Sequence, residues 1–147
     1  MNINFYPDNE NFIEAAKEYQ LIWEKDGNRI ITALETVSKM TFKEKIINAI
    51  IFEGISHSHP LSLRASYSSD VKKSTLVHEL AHRLVVGNNI KAENPLESHK
   101  LINGFLYDTW VLLYGKEFAD AMVKIESERT PIYKEAWDWT FSNKKKQ

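Results

Sequence analysis

The chain has 147 residues, of which 43 % are hydrophobic and 12 % aromatic, so we expect a single folded domain over residues 1–147 and exclude a disordered chain. The formal net charge is −1 and cysteine is absent, which makes nucleic-acid binding unlikely by charge and excludes disulfides and cysteine-ligated zinc. The first residues lack the basic and apolar segments of a signal peptide and no apolar run reaches about 18 residues, so we expect a soluble, cytoplasmic protein without a membrane segment.

The first predicted element is a helix that begins near Asn9, with Asp8 as the candidate cap. From Phe12 to about residue 40, apolar residues stay close to a 3.6-residue period, which indicates an amphipathic helix. Asp26-Gly27-Asn28 interrupts this pattern, either as a turn between two helices or as a glycine inside one helix, at a cost of about 1 kcal/mol. We favour one long or kinked helix.

Residues 45–52 and 61–67 are predicted to form two strands joined by a loop. The first segment is rich in isoleucine, the second alternates apolar and polar residues, and Gly54–Pro60 between them has loop composition. Thr41 and Glu44 have the spacing of a capping box, so a helix over 42–51 stays open. The sequence therefore predicts a mostly helical α+β domain with a small antiparallel sheet before the next helix.

That next helix is predicted to begin at a cap, Ser69 or Asp70, and to end at Gly87. Its core face has helical spacing and consists of Leu76, Val77, Leu80, Ala81 and Leu84. In its middle lies the segment His78-Glu79-Leu80-Ala81-His82, which has the pattern H-E-x-x-H. The two histidines are therefore expected at the border of the buried face.

Residues four apart lie on one face of a helix, so His78 and His82 are expected to bind one metal ion together. Glu79 projects to the side of that ion, where it reaches a bound water without being a ligand. Two imidazoles, a third protein ligand and a water position describe a catalytic zinc site in which the glutamate accepts a proton from water. The alternative is a pair of surface histidines, with Glu79 in a solvated pair with Arg83.

Another helix is predicted to begin at Asn94-Pro95 and to run to about Tyr114, with Gly115 as its stop. It is apolar on nearly all sides, which is typical of a buried helix. Two further helices are predicted near 117–128 and 132–141, separated by a proline.

The third metal ligand is expected near the start of the helix that begins at Asn94-Pro95, where Glu97 and His99 both qualify. Glu97 already has a local role, because a glutamate at the third helical position satisfies the backbone amide of the cap. His99 has no such role, and an unpaired imidazole is costly to bury. We therefore favour His99 and leave Glu97 open.

Asp108, a carboxylate in the same apolar helix, is a candidate to accept a hydrogen bond from a metal-bound histidine, or else it forms a salt bridge to an arginine.

Four further residues could donate a hydrogen bond to a negatively charged oxygen at the site: Tyr67, Tyr107, Tyr133 and Arg129. The sequence does not choose among them. Tyr107 and Tyr133 are also expected to pack in the core.

The chain resembles the zincin metallopeptidases. The resemblance is carried by His78–His82, by the preceding strand Leu61–Tyr67 and by Glu97-Ser98-His99. This part of the chain is similar to the minimal core of SprT-like proteases or small gluzincins. It implies a Zn²⁺ cofactor, a peptide or protein substrate, and pairing of an extended peptide with the strand Leu61–Tyr67.

The leading prediction is a zinc-dependent peptide hydrolase with His78, His82 and His99 as metal ligands and Glu79 as the catalytic residue. One alternative is a non-catalytic, zinc-stabilised binding or regulatory module with a closed four-ligand site. The other is a regulatory protease dedicated to one partner protein. The sequence does not indicate the substrate or the oligomeric state.

Overall fold

A three-stranded parallel sheet and five α-helices form an α+β fold in the computed structural model, which describes residues 1–144. The sheet has the order β1 (Asn2–Pro7), β2 (Ile46–Phe52) and β3 (Ser62–Arg64). The two predicted strands are confirmed as β2 and β3, and the helix considered over 42–51 does not form.

The antiparallel sheet that the sequence predicted is wrong, because both strand pairs are parallel. The sequence analysis missed β1, which pairs with β2 after a helical crossover of the kind that parallel strands require. Between β2 and β3 the chain turns back at residues 57–62, so β3 enters the sheet in the direction of β2.

The first helix begins after Asn9, one residue beyond the predicted cap. A 3-10 turn, Glu10–Phe12, leads directly into α1 (Ile13–Ser38), so the preferred single long helix is confirmed. Gly27 lies inside this helix because Trp23 packs against its backbone. A Cβ atom at position 27 would lie 2.9 Å from the Trp23 ring.

The remaining helices agree with the sequence-based bounds to within a few residues. They are α2 (Ser69–Gly87), α3 (Pro95–Tyr114), α4 (Lys116–Arg129) and α5 (Pro131–Lys144). The side chain of Ser68 caps α2, one residue before the predicted caps, and Asn94 caps α3 as predicted. Within residues 1–144, no helix combines the length and apolar character needed to cross a membrane.

Helix α3 occupies the centre of the fold, where it contacts α1, α2, α4 and α5. Its buried side includes Ile102, Leu106 and Trp110, each with no exposed surface. Helix α1 packs on β1, and α2 packs on β3 and on α3. This packing places the middle of α2, with its two histidines, against the first turns of α3.

Replacing Leu106 with alanine tests the central role of α3. Leu106 is fully buried, so the change removes packed methyl groups and leaves a cavity, and we expect the free energy of unfolding to fall by about 2 to 5 kcal/mol. Leu112 lies on the same helix but is 60 % exposed, so Leu112→Ala should cost less than about 1 kcal/mol. Urea denaturation of both variants measures the difference, and equal losses would contradict this packing.

Candidate metal centre

The two histidines of α2 lie on its buried side. Only 4 % of His78 and 5 % of Glu79 are exposed. The Nε2 atoms of His78 and His82 are 3.3 Å apart, and two nitrogens on one tetrahedral zinc ion at about 2.0 to 2.1 Å would be about 3.3 to 3.4 Å apart. The alternative of a surface pair is wrong, because Arg83 pairs with Glu44 and not with Glu79.

Helix α3 brings a third imidazole, that of His99, to the same place. Its ring centroid lies 5.4 Å from that of His78 and 4.9 Å from that of His82. One ligand nitrogen of each ring lies within 4.8 Å of the other two, so the three histidines could hold a metal ion. Glu97 is not part of this group. Its carboxylate is exposed and pairs with Lys100 at 3.2 Å.

The second ring nitrogen, Nδ1, has a hydrogen-bond partner in all three histidines. The Nδ1 of His78 donates to Glu126 Oε2 at 2.7 Å, and that of His99 donates to the Pro95 carbonyl at 2.8 Å. His82 Nδ1 lies 3.3 Å from the hydroxyl of the serine that precedes His99. A neutral imidazole that donates from Nδ1 keeps its lone pair on Nε2. The hydrogen bonds therefore hold the rings so that one nitrogen of each lies near those of the other two.

Glu126, on α4, is the site residue that the sequence analysis missed. It is 2 % exposed, and its second oxygen accepts a hydrogen bond from Trp137 Nε1 at 3.1 Å. A buried carboxylate is costly unless it is paired, and His78 and Trp137 supply its partners. The signal was the helical spacing of Ala119, Met122 and Glu126, which puts a glutamate at a core position of α4.

Asp108, the predicted carboxylate partner, is not at the site. Its side chain is 54 % exposed, and Oδ1 accepts a hydrogen bond from Lys144 Nζ at 2.9 Å. The prediction is wrong because Asp108 lies on the solvent-facing side of α3. Its salt-bridge partner is a lysine, and not one of the arginines that the sequence suggested.

Burial controls the protonation of these imidazoles. Burial and the neighbouring imidazoles lower the pKa of His82 to about 2 and that of His99 to about 4. Burial also disfavours the charged form of His78, but Glu126 outweighs it and raises the pKa of that imidazole. His82 and His99 are therefore neutral near pH 7, which is the form that binds metals, while a proton competes for His78.

The carboxylate of Glu79 lies beside the three imidazoles, with Oε1 3.9 Å from His78 Nε2. Burial raises the pKa of Glu79 to about 7, against the opposing effect of His78. A carboxyl group with such a pKa can both accept and release a proton near neutral pH.

Two hollows open on either side of Glu79. The outer cleft, of about 530 Å³, lies between residues 56–58, α2 and the segment 90–99. The arginine pocket, of about 330 Å³, is lined on the other side by Arg64, Tyr67, Thr75, His78, Arg129 and neighbouring residues. Ser56, Glu79 and Tyr133 line both, so the two hollows meet at the histidine cluster.

Three of the four predicted hydrogen-bond donors lie at these hollows. Tyr133 lines both, with its ring centroid 4.4 Å from that of His99, whereas core packing was expected for it. Burial raises the pKa of Tyr133 to about 12, so its phenol keeps its proton. Tyr67 and Arg129 line the arginine pocket. Tyr107 is not at the site, because its hydroxyl donates to Asp120 at 2.6 Å.

The outer edge of β3 is not free to pair with a peptide, contrary to what the resemblance implied. Ser62 exchanges two backbone hydrogen bonds of 2.9 Å with His57. The amide of Arg64 donates to Ser56 Oγ, and its carbonyl accepts from the Tyr19 hydroxyl at 2.8 Å. The loop before β3 covers the edge that an added strand would need.

No family model matches the chain, and comparison with curated proteins and with solved structures found no match.

Replacing His99 with alanine decides the third ligand. The change removes one of three converging nitrogens, so we expect zinc affinity to fall by more than the roughly 10- to 100-fold that loss of an outer-shell partner causes. Glu97→Ala, two residues away on the same helix, should leave the affinity unchanged. Competition with a chromophoric chelator measures both. A large loss in Glu97→Ala with none in His99→Ala would reverse the assignment.

Replacing Glu126 with glutamine removes the charge beside His78 but keeps a hydrogen-bond acceptor. We expect zinc affinity to fall about 10- to 100-fold. In the wild type, affinity should decline as the pH falls through the raised pKa of His78, because a proton then occupies its metal-binding nitrogen. In Glu126→Gln this decline should begin at a lower pH. Titrations between pH 5 and 9 test this, and identical pH profiles would contradict the role of Glu126.

Proposed function

We propose that this protein is a zinc-dependent peptide hydrolase of the zincin kind, with His78, His82 and His99 as the metal ligands. Glu79 is its catalytic base. One observation carries the proposal: three buried or half-buried imidazoles bring their nitrogens within 4.8 Å of one another, beside a carboxylate that faces two hollows.

The donor set fits zinc. Neutral imidazole nitrogens are common zinc ligands, and three histidines form one of the known catalytic ligand sets. The 3.3 Å separation of two of the nitrogens agrees with tetrahedral coordination. When bound in such a site, zinc acts as a Lewis acid toward a substrate carbonyl and toward water.

The residues around the cluster supply the other parts of a hydrolytic reaction. Glu79, with Oε1 3.9 Å from His78 Nε2, would take a proton from the attacking water and give it to the leaving amine. Tyr133, which lines both hollows, would donate a hydrogen bond to the oxygen on which negative charge develops. Glu126 holds the His78 imidazole in the orientation and tautomer that present Nε2 to the metal.

The two hollows support a chain-like substrate. A peptide whose scissile bond lies at Glu79 would place the residues on one side of that bond in the outer cleft and those on the other side in the arginine pocket. The substrate is therefore proposed to be a peptide or protein segment that binds without pairing along β3. A cytoplasmic location stays a prediction.

The open geometry favours catalysis over a structural zinc clamp. Structural zinc sites have four protein ligands and are closed. Here Glu97, which the sequence left open as a ligand, pairs with Lys100 at the surface, and two hollows adjoin the histidine cluster. A regulatory protease dedicated to one partner protein would use the same residues, and the range of substrates cleaved separates it from a general hydrolase.

Replacing Glu79 with glutamine tests the mechanism. The glutamine side chain cannot accept the proton of water, so we expect the cleavage rate to fall about 10²- to 10⁴-fold. Zinc should stay bound, because Glu79 is not one of the proposed ligands. The zinc-loaded protein is incubated with an unfolded protein or with a diverse peptide mixture, and mass spectrometry of the products measures cleavage. Glu97→Gln is the matched control and should cleave at the wild-type rate. Wild-type cleavage by Glu79→Gln would contradict the assignment.

A further inference from the structure

We propose that the arginine pocket binds a carboxylate of the substrate, on one side of the bond to be cleaved. The hydrolase would then prefer chains with an acidic side chain or a free C-terminus at that position. This inference rests on the proposed function and adds a specificity to it.

Arg129 provides the first observation. The chain has four arginines, and three of them pair with carboxylates, namely Arg29 with Asp26, Arg64 with Glu53 and Arg83 with Glu44. Among residues 1–144, no carboxylate lies within ion-pairing distance of Arg129. Its guanidinium instead lies over the ring of Tyr67, 4.8 Å from the centroid, and lines the pocket next to the histidine cluster.

Thr75 provides a second, independent observation. It is 3 % exposed, lines the same pocket, and its hydroxyl has no hydrogen-bond partner within the described part of the chain. A buried polar group without a partner is costly. A ligand that accepts a hydrogen bond from this hydroxyl removes the cost, so Thr75 and Arg129 both favour an acceptor in the pocket.

The chemistry of these groups favours a carboxylate. A guanidinium presents parallel N–H groups that match the two oxygens of a carboxylate, and the guanidinium of Arg129 lies 4.8 Å from the centroid of the Tyr67 ring. Among the residues that line the pocket, Arg64 and Arg129 are cationic and Glu79 alone is anionic. Because Glu53 already pairs with Arg64 at 2.7 Å, Arg129 is the cation that an incoming carboxylate meets.

Peptide binding to the Glu79→Gln protein tests the proposal without cleavage. The probes are acetyl-trialanine with a free carboxylate, the same peptide as its C-terminal amide, and an amide whose last residue is glutamate. We expect at least one carboxylate probe to bind about 10- to 100-fold tighter than the neutral amide. Binding is measured by chemical-shift titration of the labelled arginine Nε–H groups, with and without zinc, since zinc itself attracts carboxylates.

Arg129→Gln should abolish this preference, while Arg29→Gln, a matched change on α1, should leave it intact. Thr75→Val removes the unpartnered hydroxyl at nearly constant volume, and it should weaken carboxylate binding about 2- to 10-fold with no loss of thermal stability. It tests the pocket even if Arg129→Gln does not fold. A preference for the C-terminal carboxylate alone would indicate an exopeptidase. A preference for both carboxylate probes would indicate a specificity for acidic groups.

The proposal is overturned if neither carboxylate probe binds tighter than the amide, or if the preference survives in Arg129→Gln, whether or not zinc is present. Either result would leave the hydrolase proposal standing, because that proposal fails on the cleavage assay of the wild type and of Glu79→Gln. Conversely, an Arg129-dependent preference in a protein that cleaves nothing would refute the hydrolase alone.

Discussion

The convergence of three imidazoles on one point is the constraint on which the rest of the site depends. Near pH 7 the neutral rings of His82 and His99 turn nitrogen lone pairs toward this point, and His78, whose pKa is raised, can share a proton with His82 across the 3.3 Å between their Nε2 atoms. Hydrogen bonds at the opposite nitrogens fix this arrangement, with Glu126 holding His78 and the Pro95 carbonyl holding His99. A metal ion between the three rings would satisfy all the converging nitrogens at once, and this supports the proposed metal centre.

That convergence is a product of tertiary packing. Helix α2 supplies two histidines and Glu79, and the first turns of α3 supply His99. The carboxylate behind His78 comes from α4, while Tyr133 and the indole that holds Glu126 come from α5. Four helices therefore meet at the site, and β3 contributes Arg64 to the lining of the arginine pocket. The two hollows are the openings that this packing leaves.

The sequence predicted the features of the site that follow from residue spacing within a single helix. The pattern at His78–His82 requires only a helix, and the preference for His99 over Glu97 followed from the cap at Asn94, so both could be inferred without coordinates. The spacing within α4 indicates a core position for Glu126, but its pairing with His78 depends on how α4 packs on α2. The exposure of Asp108 likewise depends on which side of α3 the other helices cover. The parallel direction of β3 depends on the turn at residues 57–62, and β1 joins β2 only across the whole of α1. Neither feature follows from the residue pattern of a single segment.

X-ray absorption at the zinc edge of the zinc-loaded wild-type protein tests the central claim most directly. The proposed metal centre predicts one zinc per chain, with three imidazole nitrogens at about 2.0 to 2.1 Å and one further light ligand. A protein that fails to retain stoichiometric zinc, or a spectrum with fewer than three imidazoles in the shell, would contradict it.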